Sequence, residues 1–249
     1  MIKNLSRAAT AVALALLPLS LSVPVSAAPT TSATSATSGA PIASAASVGS
    51  LGSLGRAPET VPITVGVSRL SVVVEDRTGY ERDSFRHWNA GLNLTDGCNT
   101  RAEVLIAEAV TAPTVGERCA LTGGSWFSYY DNQTVTPAGS LDIDHMVPLA
   151  EAWDSGASAW TAGRREAYAN DQGAAASLVA VTARANRQKS DQDPAQWLPP
   201  AADALCRYVS EWTATKLRWG LTVDETEQDR LFALATECSG TTVTYEPVP

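Results

Sequence analysis

Histidine is nearly absent from this chain of 249 residues: only His87 and His145 occur. Any proton transfer by an imidazole therefore falls on one of two positions. Lysine is confined to Lys3, Lys189 and Lys216. Basic charge is also in deficit, with 18 Lys and Arg against 26 Asp and Glu, a formal net charge of -8 and a pI near 4.8. That balance excludes a protein that coats nucleic acid through overall charge, so any polyanion must be met at a local site. No CxxC pair occurs among the four cysteines, which argues against a zinc site. No apolar run reaches the roughly 20 residues of a membrane span, and no internal repeat is present.

What is there begins with an export signature. Lys3 and Arg7 precede an apolar run from Ala8 to Leu21, broken by Ser20, and Val25-Ser26-Ala27 offers a small-residue cleavage site before Ala28. This order predicts a signal peptide over residues 1–27 and a secreted, extracellular protein with no stable membrane association. Residues 28–58 are almost wholly Ala, Ser, Thr, Gly and Pro, without charge before Arg56. Such a composition cannot bury enough apolar surface to offset its conformational entropy and predicts a disordered linker. Residues 59–245 then remain as one domain of about 180 residues, enough for a single core, and a monomer is expected.

In an exported chain, Cys98, Cys119, Cys206 and Cys238 predict disulfides. Of three possible pairings the sequential one, Cys98 with Cys119 and Cys206 with Cys238, closes the shortest loops.

Residues 61–74 are rich in valine and isoleucine and suggest an extended entry segment. Thr100 is placed to cap a helix running to Val110, with Glu103 completing a capping box. Residues 119–129 around Gly123-Gly124 read as a hairpin, and Asp131-Asn132 as a further turn. A strand is expected over 141–147, helices over 148–153 and 162–169, and a short strand over 178–181. Thr182 is a good cap for a helix over 183–189, and amphipathic helices follow around 202–219 and 224–237. The pattern is α+β, mainly helical, with short strands.

The chemistry concentrates in Leu141-Asp142-Ile143-Asp144-His145-Met146-Val147-Pro148 and Ala185-Asn186-Arg187-Gln188-Lys189-Ser190-Asp191. An Asp beside a His at a strand end can divide two tasks, carboxylate oxygen for a hard cation and imidazole for a proton. Neighbours on a strand face opposite ways, so Asp144 and His145 share a site only if the strand twists or ends there. Pro148 favours an ending. Asp142 shares the nominal face of Asp144 and is an alternative ligand or supporting carboxylate. Glu151, on the following helix, is another, although a solvated helix face suits it better. Lys189, three residues beyond Asn186, is expected on the same helix face, where its ammonium can hold a phosphate. His87, beside Trp88, reads as a packed or surface residue.

A strand ending in Asp-His, a second short strand and a helix carrying Asn186 resemble the HNH endonuclease superfamily. The resemblance is closer to secreted bacterial HNH-family proteins of the DUF1524 type, related to the C-terminal domain of GmrSD restriction enzymes. It extends through Arg77-Thr78-Gly79-Tyr80, Gly97-Cys98-Asn99-Thr100-Arg101, Pro148-Leu149-Ala150-Glu151-Ala152-Trp153 and Asn170-Asp171. It implies a ββα-metal core and a metal-dependent endonuclease of low sequence specificity acting on DNA or RNA. Asp144 and Asn186 would bind one divalent cation, Mg²⁺ or Mn²⁺, and His145 would take a proton from water, leaving 5′-phosphate ends. Arg101 enters only through this resemblance, as a second cation near the site.

Two other readings compete. Asp142, Asp144 and Glu151 with tryptophan platforms suggest a carboxylate-based glycoside hydrolase that needs no metal. An exported binding module with a degenerate site would turn over no nucleic acid. A histidine base predicts activity falling below about pH 6.5.

Overall fold

The structure, a computed structural model, describes residues 57–249. The expected signal peptide and all but the last two residues of the expected linker lie outside them. The described chain is α+β. It opens with β1 (Glu59–Pro62), α1 (Ile63–Ser68), α2 (Thr100–Ala107), β2 (Thr114–Val115), β3 (Leu121–Thr122), β4 (Trp126–Ser128) and β5 (Gln133–Val135). There follow β6 (Leu141–His145), α3 (Leu149–Asp154), α4 (Ala162–Ala169), β7 (Leu178–Thr182) and α5 (Ala183–Lys189). The chain closes with α6 (Leu205–Trp219), α7 (Glu225–Glu237) and β8 (Thr242–Tyr245).

Four antiparallel two-stranded ladders join β1 to β8, β2 to β3, β4 to β5 and β6 to β7. The expected extended run over residues 61–74 is mostly replaced: after Pro62 the chain turns into α1, which buries Ile63, Gly66 and Val67. These positions recur at helical spacing, and packing on α6 and α7 overrides the β-branched composition. Gly66 is required by close approach, since a Cβ there would stand 3.1 Å from Val243 and 3.3 Å from Thr213.

Local capping explains the helices near the site. Thr161 accepts from the Arg164 amide and Thr182 from the Ala185 amide, each at 3.2 Å, and Asp224 caps α7. On α2 the cap is Asn99, not Thr100: Asn99 accepts from the Ala102 amide at 2.9 Å, while Thr100 is buried and donates to Asn89. Glu103 closes no capping box. Its carboxylate instead accepts from the Leu92 and Asn93 amides and from Gln172. The hairpin expected over 119–129 is divided, because Leu121–Thr122 pairs back onto β2 and Trp126–Ser128 pairs forward onto β5. The Asp131-Asn132 turn joins β4 and β5, with Asn132 at φ 52°.

Cys98 bonds to Cys119 and Cys206 to Cys238, the sequential pairing. Each crosslink stabilises by about 3 kcal/mol through restriction of the unfolded chain.

Two apolar clusters flank the β6–β7 ladder. The larger includes Ile63, Tyr208, Trp212, Leu231, Val179 and Val181. The smaller includes Leu105, Trp126, Leu141, Ile143, Leu178 and Ala180. The ladder is thus packed on both faces, and its fully buried apolar side chains contribute roughly 1.5–3 kcal/mol each. A site on this ladder must open at its edge or its end.

Candidate functional site

Which edge is open follows from the backbone. On β7 the amides of Ala180 and Thr182 donate away from β6, to Glu108 Oε2 at 2.8 Å and Ser128 Oγ at 3.0 Å. Their partners across the ladder, Ile143 and Leu141, therefore turn their own backbone groups toward the outer edge of β6. Arg101 occupies that edge at the start of the strand, donating to the Leu141 carbonyl at 2.9 Å. At the far end a cleft of about 460 Å³ is lined by Tyr80, Arg82, Ile143, Asp144, His145, Asn186 and Arg187, among others. Because β6 ends at His145 and the cleft lies beside it, Asp144 and His145 both border one space despite pointing to opposite faces.

His145 Nε2 lies 2.9 Å from the Ala169 carbonyl. A carbonyl only accepts, so Nε2 carries the proton and Nδ1 is left as a free base. The ring is stacked between Trp88, at 5.4 Å, and Tyr168, at 6.5 Å, with His87 edge-on at 6.4 Å. Burial lowers its pKa to about 3, opposed by the Ala169 hydrogen bond and reinforced by the charges of His87, Arg82 and Lys189. The imidazole is therefore neutral at physiological pH. His87 itself is half-buried and bonds the Phe85 carbonyl.

Asp144 is buried, and its Oδ2 accepts from Tyr130 at 2.7 Å and from Lys189 at 2.5 Å. Oδ1 accepts no hydrogen bond among the described residues. Burial pushes the carboxyl pKa up, against the pull of Lys189 and Tyr130. Asn186, on the first turns of α5, donates from Nδ2 to Asp142 at 3.3 Å, which leaves its amide oxygen unengaged. Asp142 also meets Arg187 at 3.4 Å and is not among the residues lining the cleft. Two uncommitted hard oxygen donors, Asp144 Oδ1 and Asn186 Oδ1, thus belong to residues bordering the same cleft. Their chemistry fits Mg²⁺ or Mn²⁺ with water completing the shell.

Three expected residues are placed elsewhere. Lys189 has no solvent exposure and donates to Asp144 Oδ2, the His145 carbonyl at 2.9 Å and the Met146 carbonyl at 2.8 Å. All three ammonium protons are used, so none is left for a phosphate. The residue is offset from Asn186 by about 60° around the helix, enough to turn it into the core beside Tyr130, Tyr208 and Trp212. Arg101 sits at the opposite end of β6 and lines a separate pocket. Glu151 is neither solvated nor in the cleft: it is buried and accepts from Ser155 at 2.9 Å and Lys216 at 2.8 Å. Lys216 also binds Glu227 at 2.6 Å. Asp142, Asp144 and Glu151 therefore do not form the shared carboxylate pair of a glycosidase.

The structure adds residues that sequence spacing did not reveal. Arg82, on a 3-10 turn over Arg82–Ser84, lines the cleft and makes no ion pair among the described residues. It follows the Arg77–Tyr80 segment, but no spacing ties it to His145. Trp88 is brought over His145 by a loop that Asn170 holds, accepting from the Asn89 amide at 3.0 Å and donating to the Arg86 carbonyl at 2.7 Å. Arg77 ties the end of α3 to the segment after α5 through Asp154 and Asp191, each at 2.6 Å.

No described helix is long and apolar enough to cross a membrane. Residues 111–234 match the family model of the GmrSD restriction endonuclease C-terminal domain, a span that contains β6, β7 and α5. An uncharacterized secreted protein of Arthroderma benhamiae is 41% identical over 160 residues, covering 64% of this chain and 76% of that protein. No solved structure matches the chain. By the matched span and this relative, the chain belongs to the family of the GmrSD restriction endonuclease C-terminal domain.

Proposed function

We propose that the chain is a secreted, divalent-metal-dependent endonuclease of the HNH type, hydrolysing phosphodiester bonds of DNA, or of RNA, with low sequence specificity. The observation that carries this reading is one cleft bordered by a neutral histidine with a free Nδ1 and by two residues with uncommitted oxygen donors, Asp144 and Asn186. An antiparallel strand pair followed at once by a helix supports the ββα-metal comparison. Export is supported by the order of residues 1–27, by two disulfides and by a relative described as secreted.

In this reading His145 Nδ1 takes a proton from the water that attacks phosphorus, and the Ala169 carbonyl holds the opposite ring nitrogen so that the base points into the cleft. Arg82 offsets charge on the non-bridging phosphate oxygens. Lys189 fixes the end of β6 from below, orienting Asp144 and the His145 backbone together. Asp144 and Asn186 would hold one Mg²⁺ or Mn²⁺ ion, which supplies Lewis-acid stabilisation of the phosphate and of the departing 3′ oxygen. The products carry 5′-phosphates.

The test is digestion of supercoiled plasmid by the mature protein and by His145→Ala, with Mg²⁺, with Mn²⁺ and with EDTA. Metal-dependent nicking that disappears in the variant is expected. Absence of cleavage with either metal would leave the exported binding module as the better reading.

A further inference from the structure

Among the described residues Arg69, Arg77, Arg86, Arg184, Arg187, Arg207 and Arg218 each meet a carboxylate. Arg101 and Arg118 do not, and both line one pocket of about 370 Å³. No Asp or Glu is among that pocket's lining residues. Arg101 is fixed by one nitrogen on the Leu141 carbonyl, which leaves the rest of its planar fork available. Arg118 makes no hydrogen bond or ion pair among the described residues.

Covalent structure ties the segment of Arg118 to the start of α2. Arg118 and Cys119 take φ of 54° and 58°, a bend that few non-glycine residues adopt. The Cys98–Cys119 disulfide ties that bend to the residue preceding Asn99, the cap of α2, on whose first turn Arg101 lies.

The pocket and the catalytic cleft lie at the two ends of one strand. From Leu141 to His145 β6 rises about 13 Å, the axial span of roughly four nucleotides of one strand of a duplex. Two guanidinium groups without carboxylate competitors suit a phosphate, which they bind in forked geometry.

We propose that Arg101 and Arg118 form a phosphate subsite that grips the substrate backbone about four nucleotides from the scissile bond, so that the nucleic acid runs along the outer edge of β6. This rests on the nuclease reading and extends it to substrate length and placement. It explains how a chain of net charge -8 retains a polyanion: the binding energy is local. Only one side of the scissile bond is gripped in this way.

Arg118→Ala is the informative variant, because the side chain is exposed and supports no neighbour; an unchanged melting temperature checks that the fold persists. The readouts are KM on oligonucleotides of increasing length and the salt dependence of binding, the latter on the His145→Ala background in EDTA. In the wild-type chain KM is expected to fall once the substrate spans the strand. Arg118→Ala should lose that fall, raise KM on long DNA about three- to tenfold, and make the salt slope shallower by about one. Arg118→Glu should weaken binding further. Length dependence and salt slope unchanged in Arg118→Ala, with wild-type cleavage intact, would overturn the subsite and leave the nuclease standing. A wild-type protein that neither binds nor cleaves nucleic acid would overturn both.

Discussion

The ammonium of Lys189 lies 2.5 Å from Oδ2 of Asp144 with no exposure to solvent, directly behind the strand end that carries His145. One buried ion pair thus holds a proposed metal-binding carboxylate in place and, through the carbonyls of His145 and Met146, the backbone of the proposed base.

Lys189→Met is expected to destabilise the fold by about 3–5 kcal/mol, because it leaves the Asp144 carboxylate buried without its partner. Urea unfolding measures this. A loss below about 1 kcal/mol together with a raised KM would instead place the ammonium on substrate.

Asp144→Ala and Asn186→Ala should each weaken Mn²⁺ binding at least about tenfold, whereas His145→Ala should abolish cleavage and leave Mn²⁺ binding nearly unchanged. Isothermal titration with Mn²⁺ separates the two classes. Equal metal affinity in all three variants would remove Asp144 and Asn186 from the cation site.

A free imidazole titrates near pH 6.5, and from that value activity is expected to fall in mild acid. The structure shifts this expectation. With His145 depressed to about 3 by burial, the base stays unprotonated well below pH 6, so its loss does not limit cleavage between pH 7 and pH 5. The same depression contributes stability that is present above the unfolded value and is lost as pH falls from about 6.5 toward 3. Trp88→Ala removes one of the two rings that stack on the imidazole and should raise its pKa, moving the acid limb of the rate profile upward. An acid limb shared by wild type and Trp88→Ala would show that another group sets it.

The opposite sign applies beside Lys216. Burial and the Glu151 charge raise Glu75 to about 8, and Glu227 is raised to about 7 by burial. Folded values above the unfolded ones give stability that is full below about pH 4.5 and is lost as pH rises toward 8. The melting temperature should therefore decline between pH 6 and pH 8.5, and Glu75→Gln should flatten that decline. A wild-type decline unaltered in Glu75→Gln would assign it to other groups.

Local features were legible from sequence wherever their causes lie within a turn of helix. The helix over 162–169 starts at Thr161, the helix over 183–189 at Thr182 and the helix beginning at Glu225 at Asp224, each through a side chain meeting an amide three residues on. The sequential disulfides were legible because each closes a short loop, and the Asp-His strand end because Pro148 follows it. Strand β8 was not anticipated, since its partner β1 lies at the other end of the described chain. Local sequence places the α2 cap one residue late, at Thr100, which has equal local claim and is drawn away only by Asn89.

The sequence by itself determined which groups were available: a scarce histidine beside an aspartate, an asparagine on the helix after the second strand, and four cysteines in an exported pattern. Tertiary structure decided what those groups do. Lys189 meets Asp144 across 45 residues and Glu151 meets Lys216 across 65, so neither pairing could be read from local spacing. The neutrality of His145 comes from burial, to which the rings of Trp88 and Tyr168 contribute, and its tautomer from the carbonyl of Ala169. Residue type sets the chemistry a side chain can perform, but desolvation and partners set its charge and its freedom. Both arise only when distant segments pack together.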